Sequence, residues 1–287
     1  MDMQKIGLLG FGTMGAGIAQ LIAQSGRDVL VLETAQERID AGMRFLSEFL
    51  ATGVARGKLT EEDSNTIRSR VHGVLKVEEL ADAQLVIEAV TENPDAKKSL
   101  FAKVSSIVSA DVPILTNTSA LSVTDLATSV DNRGRFAGLH FFNPAPLMKI
   151  IEVVKALETD DKTIDTLVAF VESLGKEPVV VKDRPGFLVN SLLMPYLNDV
   201  IQAYDEDLAT AEDIDIAIRL GLGHKLGPLE LLDLIGLDVH NHATMSAYQA
   251  TLDPKFAPPP LLRQMVAAGH LGNKNGKGFR TDGRKTA

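Results

Sequence analysis

The stretch Ile6-Gly7-Leu8-Leu9-Gly10-Phe11-Gly12-Thr13-Met14-Gly15 decides the fold of the first part of the chain. It places three glycines in the pattern G-x-G-x-x-G between an apolar strand and a helix. In this pattern Gly10 permits a tight turn, Gly12 lets phosphates approach the backbone, and Gly15 lets the helix pack closely on the strand. The phosphates then face a helix N-terminus, where N–H groups and the helix dipole favour negative charge. The motif, with Met14 inside it, predicts a dinucleotide-binding site.

A carboxylate at the end of the next predicted strand supports this interpretation. Val29-Leu30-Val31-Leu32-Glu33 places Glu33 18 residues after Gly15, where the ribose hydroxyls of a dinucleotide lie. Glu33 can accept hydrogen bonds from a ribose 2′-hydroxyl, but it repels a 2′-phosphate. NAD is therefore expected as the cofactor. Arg38, about one helical turn along, leaves NADP open as the alternative.

Short apolar runs alternate with helical stretches up to residue 182, which is typical of a mostly parallel sheet covered by helices. Strands are predicted at Ile6–Gly10, Val29–Glu33, Leu85–Val90, Ile114–Asn117, Phe136–Phe142, Ile150–Val154 and Pro178–Val181. Helices are predicted at Thr13–Ser25, Ala35–Arg56, Ala96–Ser109 and Lys162–Leu174. A helical hairpin is expected as an insertion after the second of these strands, because Gly57 ends one helix and Thr60 begins another.

The pattern changes at Lys182-Asp183-Arg184-Pro185-Gly186, after which apolar residues recur at helical spacing. The predicted fold class is therefore α/β, with two domains. An N-terminal Rossmann-type, doubly wound domain spans 1–182, and an all-α C-terminal domain spans 183–287.

Composition excludes several classes of protein. The chain has 287 residues, 45% of them hydrophobic, and no cysteine. Disulfides, thiolate metal sites and cysteine nucleophiles are therefore excluded, and no metal is expected. A net charge of −9 without a block of Lys or Arg disfavours nucleic-acid binding. No apolar run approaches the roughly 18–20 residues of a membrane span, and the start lacks a signal-peptide pattern, so a cytoplasmic protein is expected.

One of the six histidines stands in a context that suggests catalysis. His140 lies towards the end of a predicted strand, and the carboxyl ends of such strands border the ligand crevice. Glu152 follows 12 residues later inside an apolar run, where a carboxylate needs a partner. If the chain reverses at Pro144-Ala145-Pro146, the two side chains can pair. Three other histidines are expected to be surface or packing residues: His72, His240 and His242.

Five motifs, taken together and in this order, resemble the L-3-hydroxyacyl-CoA dehydrogenase family, and within it the stand-alone bacterial 3-hydroxybutyryl-CoA branch. They are the glycine motif Gly10–Gly15, Glu88-Ala89-Val90-Thr91-Glu92, Asn117-Thr118-Ser119-Ala120-Leu121, His140-Phe141-Phe142-Asn143-Pro144 and Pro185-Gly186-Phe187-Leu188-Val189-Asn190. The resemblance covers nearly the whole chain. It implies an NAD-dependent oxidoreductase that interconverts a short-chain (3S)-3-hydroxyacyl-CoA and its 3-oxoacyl-CoA.

The resemblance also assigns roles to residues. His140 matches the catalytic histidine and Glu152 the acid that orients it. Ser119 and Asn190 match polar residues that hold the substrate's oxygens and complete the catalytic set. Lys58 matches a lysine that contacts the CoA tail, and we add Arg56 to that contact. Five residues are expected at the cofactor: Glu92, Lys97, Asn117, Asn143 and Lys274. A homodimer through the helical domain is implied, with the apolar stretch Leu229–Leu237 as a candidate surface unless it fills the domain's own core.

Alternatives remain open at this point. A dicarboxylic 3-hydroxyacyl-CoA is possible because His224 and Lys225 are cationic residues suited to a distal carboxylate. A free hydroxy acid and a non-catalytic cofactor-binding relative are the other two alternatives. Ser119 and Asn117 also suit helix caps or turns, and Lys97 and Lys58 suit solvated surface charges. The sequence departs from the family pattern at Glu33, at Ser191, in the stretch 223–228 and at Arg280, and nothing in it explains Arg280.

Overall fold

The computed structural model describes residues 3–280, and the boundary between two compact units falls between Asp183 and Arg184. The strands of the first unit are β1 (Lys5–Leu9), β2 (Asp28–Leu32), β3 (Val71–Val74), β4 (Leu85–Glu88), β5 (Ile114–Thr116), β6 (Phe136–Phe141), β7 (Ile150–Lys155) and β8 (Glu177–Lys182). Its α-helices are α1 (Thr13–Gln24), α2 (Gln36–Ala55), α3 (Glu61–Ser69), α4 (Pro94–Ile107), α5 (Val123–Ala127) and α6 (Asp161–Ser173).

The strands of the first unit form one eight-stranded sheet in the order β3-β2-β1-β4-β5-β6-β7-β8. Neighbouring strands run parallel except β6 and β7, which are antiparallel. The predicted mostly parallel, doubly wound sheet is confirmed, and all seven predicted strands are present. One further strand, β3, was not predicted; it has four residues and lies at the edge of the sheet.

The predicted helical hairpin is formed by α2 and α3. Gly57, with a φ of +65°, ends α2, and the Lys58 amide donates to the Gly53 carbonyl at 2.9 Å. A positive φ costs glycine little, which explains why the helix stops there. Thr60 begins α3 through a capping box with Asp63. Gly57 and Thr60 therefore determine where the loop of the hairpin begins and ends.

The interior of the sheet is apolar, and β4 and β6 are buried along their whole length, as expected for strands covered on both faces. Three ionisable side chains interrupt this interior. Glu88 and Glu152 are 0% exposed and His140 is 6% exposed. Because burying a charge without a partner is costly, each of these residues must have found one.

The second unit is helical, as predicted. Its helices are α7 (Val189–Asp205), α8 (Ala211–Gly221), α9 (Pro228–Ile235), α10 (Leu237–Thr251) and α11 (Pro260–Ala267). Residues 184–280 contain no β-strand, only an isolated bridge between Gly272 and Lys277. Its core includes Leu197, Ile201, Leu229, Leu232, Leu237 and Leu262. Within residues 3–280, no helix has the length and apolar character needed to cross a membrane.

Two buried aspartates tie the last described residues to the helices of the second unit. Asp215 accepts from the Leu229 amide at 2.8 Å, and Asp233 accepts from the Phe279 and Arg280 amides at 2.9 and 2.8 Å. The Arg280 guanidinium lies 2.7 Å from Asp215. Arg280 therefore compensates the charge of a buried carboxylate, which accounts for a residue that the sequence left unexplained.

Candidate active site

The glycine turn between β1 and α1 has the geometry that a pyrophosphate needs. Gly10 has a φ of +96°, and a Cβ on Gly15 would lie only 2.1 Å from the Gly10 carbonyl oxygen. These two positions therefore exclude other residues. A Cβ on Gly12 would meet no other group of the described chain within 4 Å, so open space lies directly beside the backbone. That space, at the N-terminus of α1, fits a phosphate.

Glu33 lies beside this turn. One of its carboxylate oxygens accepts from the Phe11 amide at 2.7 Å, and the other accepts from the Thr34 amide at 3.1 Å. Glu33 shares a cavity of about 450 Å³ with Gly10 and Gly12. The acid is therefore fixed next to the phosphate position, which is where a ribose-binding acid belongs. The residues present fit NAD.

His140 and Glu152 form a buried pair across β6 and β7. The two residues are direct partners in the antiparallel register, and His140 Nδ1 lies 2.7 Å from a Glu152 carboxylate oxygen. Glu152 is fully buried, and the His140 ring packs against Phe142 with centroids 4.6 Å apart. The chain reversal that the sequence required for this pair is present. Such a pair can fix the tautomer of an imidazole and support its protonated form.

Asn117 connects the end of β5 to the strand that carries His140. Its side-chain oxygen accepts from the Phe141 backbone amide at 2.9 Å, and its backbone amide donates to the Glu88 carbonyl at 2.9 Å. This long-range bond is neither a helix cap nor a local turn, the two structural roles that the sequence context suggested. It holds the end of β6 in place, one residue beyond His140.

A buried cluster of charges lies where β4 ends. Lys97 on α4 is 1% exposed, and its ammonium lies 2.6 Å from Glu88 and 3.1 Å from Glu92. Glu88 also accepts from the Val90 amide at 2.6 Å and the Thr116 hydroxyl at 2.8 Å. Burial raises the pKa of Glu88, against the lowering effect of Lys97 and these donors. Lys97 is therefore not a solvated surface charge.

Glu92 connects this cluster to Ser119. It accepts a short hydrogen bond from the Thr118 hydroxyl and one from the Ser119 amide at 3.3 Å. Burial opposes its charge, but Lys97 and these hydrogen bonds outweigh burial and lower the pKa of Glu92. Glu88 stands in one of the family motifs but was not predicted as a site residue, although a carboxylate that ends an apolar strand is the signal that singled out Glu33.

Several predicted site residues gather at one edge of the sheet, where the parallel strands end. Met14 is half-buried in the first turn of α1, while Ser119 and Asn143 are exposed just after β5 and β6. The register of the parallel strands brings these positions to the edge that also carries His140. This is the edge at which open α/β sheets bind their ligands.

Two cationic residues lie in the loop of the helical hairpin. Arg56 and Lys58 are exposed at the connection between α2 and α3. Neither side chain has an ion-pair partner within the part of the chain that the structure describes. Their charges are available to a soluble anion.

The remaining predicted residues lie in the second unit. Asn190 is half-buried in the first turn of α7, and Lys274 pairs with Asp238 at 2.7 Å. The Ser191 hydroxyl donates to the Leu188 carbonyl at 2.8 Å, so it serves the start of α7. His224 is exposed, and its ring lies 6.5 Å from that of Tyr196.

Comparison with known families matches both units. Residues 5–184 match the model of the 3-hydroxyacyl-CoA dehydrogenase NAD binding domain, and residues 186–282 match that of the 3-hydroxyacyl-CoA dehydrogenase C-terminal domain. The chain belongs to the 3-hydroxyacyl-CoA dehydrogenase family. The expected family and its NAD-binding domain are thus confirmed.

Individual relatives of this dehydrogenase are similar over most of their length. A 3-hydroxybutyryl-CoA dehydrogenase of Mycobacterium tuberculosis is 39% identical over 281 residues, which cover 97% of this chain and 98% of that one. The crystal structure of an (S)-3-hydroxybutyryl-CoA dehydrogenase from Ralstonia eutropha has a TM-score of 0.93 at 39% identity, covering 97% and 98% of the two chains. A 3-hydroxyadipyl-CoA dehydrogenase of Escherichia coli is 40% identical over 97% of this chain and 59% of its own.

Proposed function

We propose that this family member is an NAD-dependent dehydrogenase that interconverts (3S)-3-hydroxybutyryl-CoA and acetoacetyl-CoA. The observation that carries the proposal is the buried His140–Glu152 pair, 2.7 Å apart, on a sheet whose first turn fits a pyrophosphate. An imidazole at the carboxyl edge of such a sheet is suited to exchange a proton with a substrate hydroxyl.

In the oxidation direction, neutral His140 takes the proton of the C3 hydroxyl as the C3–H bond breaks and a carbonyl forms. Acceptance of the hydride is the chemistry that bound NAD supplies. Because Nδ1 is bonded to Glu152, Nε2 is the nitrogen that exchanges the proton with substrate. The Glu152 carboxylate stabilises the imidazolium that results. In reduction, the imidazolium returns the proton to the C3 oxygen.

Other residues bind the substrate and the cofactor and hold them in position. Ser119 hydrogen-bonds to an oxygen of the substrate, and Arg56 and Lys58 attract the CoA phosphates despite the net negative charge of the chain. The cofactor is held by the glycine turn with Met14 and by Glu33, and further residues border it: Glu92, Asn117 and Asn143. The ligand contacts of Asn190 and Lys274, which lie in the second unit, stay predictions from the family resemblance. Lys97 is enclosed by carboxylates, so it acts on the cofactor site by pairing with Glu92.

A dicarboxylic 3-hydroxyacyl-CoA is the second candidate substrate. His224 and Lys225 are exposed, and neither has an ion-pair partner within residues 3–280. Cations of this kind can bind a distal carboxylate. The similarity to a 3-hydroxyadipyl-CoA dehydrogenase also supports a dicarboxylic substrate as the second candidate. Location in the cytoplasm stays a prediction from the sequence.

A homodimer through the helical unit is part of the same proposal. Leu229, Leu232 and Leu237 are fully buried in the unit's own core and cannot form an interface, whereas Leu234 of the same stretch is 52% exposed. Exposed apolar side chains on and after α8 are the better candidates for the interface: Ile216 (44% exposed), Leu220 (74%) and Leu222 (63%). Light scattering should report a dimer for the native chain and a smaller species for Leu220→Asp. A monomeric native chain would refute the dimer.

The substrate proposal is tested by a panel in which NADH oxidation is followed with acetoacetyl-CoA, 3-oxoadipyl-CoA and free acetoacetate. Fast turnover of acetoacetyl-CoA, with little for the other two, is expected. Preference for the adipyl ester that falls in Lys225→Gln would establish the second candidate. Turnover of free acetoacetate as fast as of its CoA ester would refute CoA recognition. The absence of turnover with all three would favour the non-catalytic alternative.

A further inference from the structure

The cavity beside the glycine turn contains two cations as well as Glu33. Its volume is about 450 Å³, and its lining includes Arg38 from the first turn of α2 and Lys103 from α4. The three charged side chains that line it are Glu33, Arg38 and Lys103. One negative and two positive charges give this lining a net charge of +1, although the whole chain is acidic.

The acid and the cations differ in how firmly they are held. Both oxygens of Glu33 accept backbone hydrogen bonds, from Phe11 at 2.7 Å and from Thr34 at 3.1 Å. Arg38 and Lys103 are exposed, and neither has an ion-pair partner within 4 Å anywhere in residues 3–280. The anion is therefore fixed in place, and the two cations are available to a ligand.

We propose that Arg38 and Lys103 form a latent site for a ribose 2′-phosphate, and that Glu33 alone keeps NADPH out of it. The inference rests on the proposed function, since it takes this cavity to hold the adenosine end of the cofactor. A 2′-phosphate adds about two negative charges, which Glu33 repels at close range. A guanidinium and an ammonium are the groups that bind phosphate best, the first in a bidentate manner.

Glu33→Gln removes the negative charge of this side chain but keeps its size and shape. The glutamine oxygen can still accept from the Phe11 amide, so the glycine turn keeps its hydrogen bond while the negative charge is lost. The test compares this variant with Glu33→Gln/Arg38→Gln/Lys103→Gln. Glu33→Gln/Arg44→Gln is the matched control, because Arg44 is an exposed cation on the same helix α2 and does not line the cavity.

The readout is binding, measured by the fluorescence change of NADPH and of NADH on titration with protein. Glu33→Gln should tighten NADPH binding about tenfold or more relative to NADH, and removal of both cations should reverse that gain. The Arg44 control should keep it, and 2′-AMP should displace NADPH from Glu33→Gln more strongly than AMP does.

Two results would overturn the inference while leaving the proposed function intact. One is NADH binding to the native chain with no gain of NADPH affinity in Glu33→Gln. The other is a gain that persists when Arg38 and Lys103 are both neutral. Failure of the native chain to bind NADH at all would instead refute the proposed function, and the inference with it.

Discussion

His140 and Glu152 lie directly opposite each other in the antiparallel pair β6–β7, with His140 Nδ1 2.7 Å from a Glu152 oxygen. They are 12 residues apart in the sequence, and the intervening reversal places both side chains on the same face of the sheet. The pairing is thus fixed by backbone hydrogen bonds rather than by flexible side chains. The proposed general base is therefore held in one orientation.

Glu152→Gln should keep the register but lose the negative charge behind the imidazole. We expect kcat to fall about 100-fold or more, because the imidazolium loses its stabilising partner and the tautomer is no longer fixed. The measurement is steady-state NADH oxidation with acetoacetyl-CoA. Glu177→Gln, on the exposed start of β8, is the control and should act like the native chain. A Glu152→Gln kcat within twofold of native would remove this acid from the mechanism.

Lys97→Met should be strongly destabilising. It leaves Glu88 fully buried without its cation, and such a loss costs about 3–5 kcal/mol in the free energy of unfolding. The comparison is Lys98→Met, which breaks an exposed pair with Asp125 worth at most about 1 kcal/mol. Urea unfolding of both variants measures the difference.

The pH dependence of the Lys97→Met effect follows from Glu88. Burial raises the pKa of Glu88, so the folded variant takes up a proton more readily than the unfolded chain as the pH falls. The destabilisation should therefore be smaller at pH 5 than at pH 8. Equal losses at the two pH values, or equal losses for Lys97→Met and Lys98→Met, would contradict the buried ion pair.

His240 should make the protein sensitive to acid. Burial lowers its pKa to about 4, and His240 Nε2 lies 3.0 Å from the Asn198 side-chain oxygen. The unfolded chain, with an ordinary histidine, binds a proton at higher pH than the folded chain. The stability that neutral His240 contributes is therefore complete above about pH 6.5 and is lost towards pH 4, amounting to about 3 kcal/mol.

His240→Gln should remove this component of the acid sensitivity. The measurement is the free energy of unfolding in urea between pH 7 and pH 4, for the native chain and the variant. His72→Gln is the control, since His72 is exposed on β3, and it should keep the native slope. A His240→Gln slope equal to the native one would show that His240 does not titrate as described.

Lys58→Gln should weaken recognition of the CoA phosphates. We expect KM for acetoacetyl-CoA to rise about threefold to tenfold, with kcat and KM for NADH nearly unchanged, because an exposed cation contributes mainly long-range attraction. The effect should shrink at high salt. Lys162→Gln removes an exposed charge from α6 as a matched control. An unchanged KM for the CoA ester would take Lys58 out of substrate binding.

Much of the fold could be predicted because its signals are local. The glycines at 10, 12 and 15, the stop at Gly57 and the cap at Thr60 each fix a turn or a helix end by themselves. β3 escaped prediction because Val71-His72-Gly73-Val74 is short, and its two middle residues are exposed. Such a strand is stabilised by its pairing with β2, and a local sequence pattern does not indicate that pairing.

The site was less predictable where residues act through other residues. The structure shows Asn117 bonded to the Phe141 amide and Lys97 enclosed by Glu88 and Glu92, and the sequence predicted neither contact. Such bonds join elements that are far apart in sequence, so spacing alone could not reveal them. The roles of Asn190 and Lys274 towards ligands stay predictions.

The most direct test of the central claim is the kcat of NADH oxidation by acetoacetyl-CoA for the native chain and His140→Gln, measured side by side. NADH binding, followed by fluorescence, serves as the control for an intact cofactor site. The account predicts that His140→Gln binds NADH as the native chain does and loses activity by about 1,000-fold or more. Near-native turnover in His140→Gln would contradict the account, because the proton would then be moved by another group.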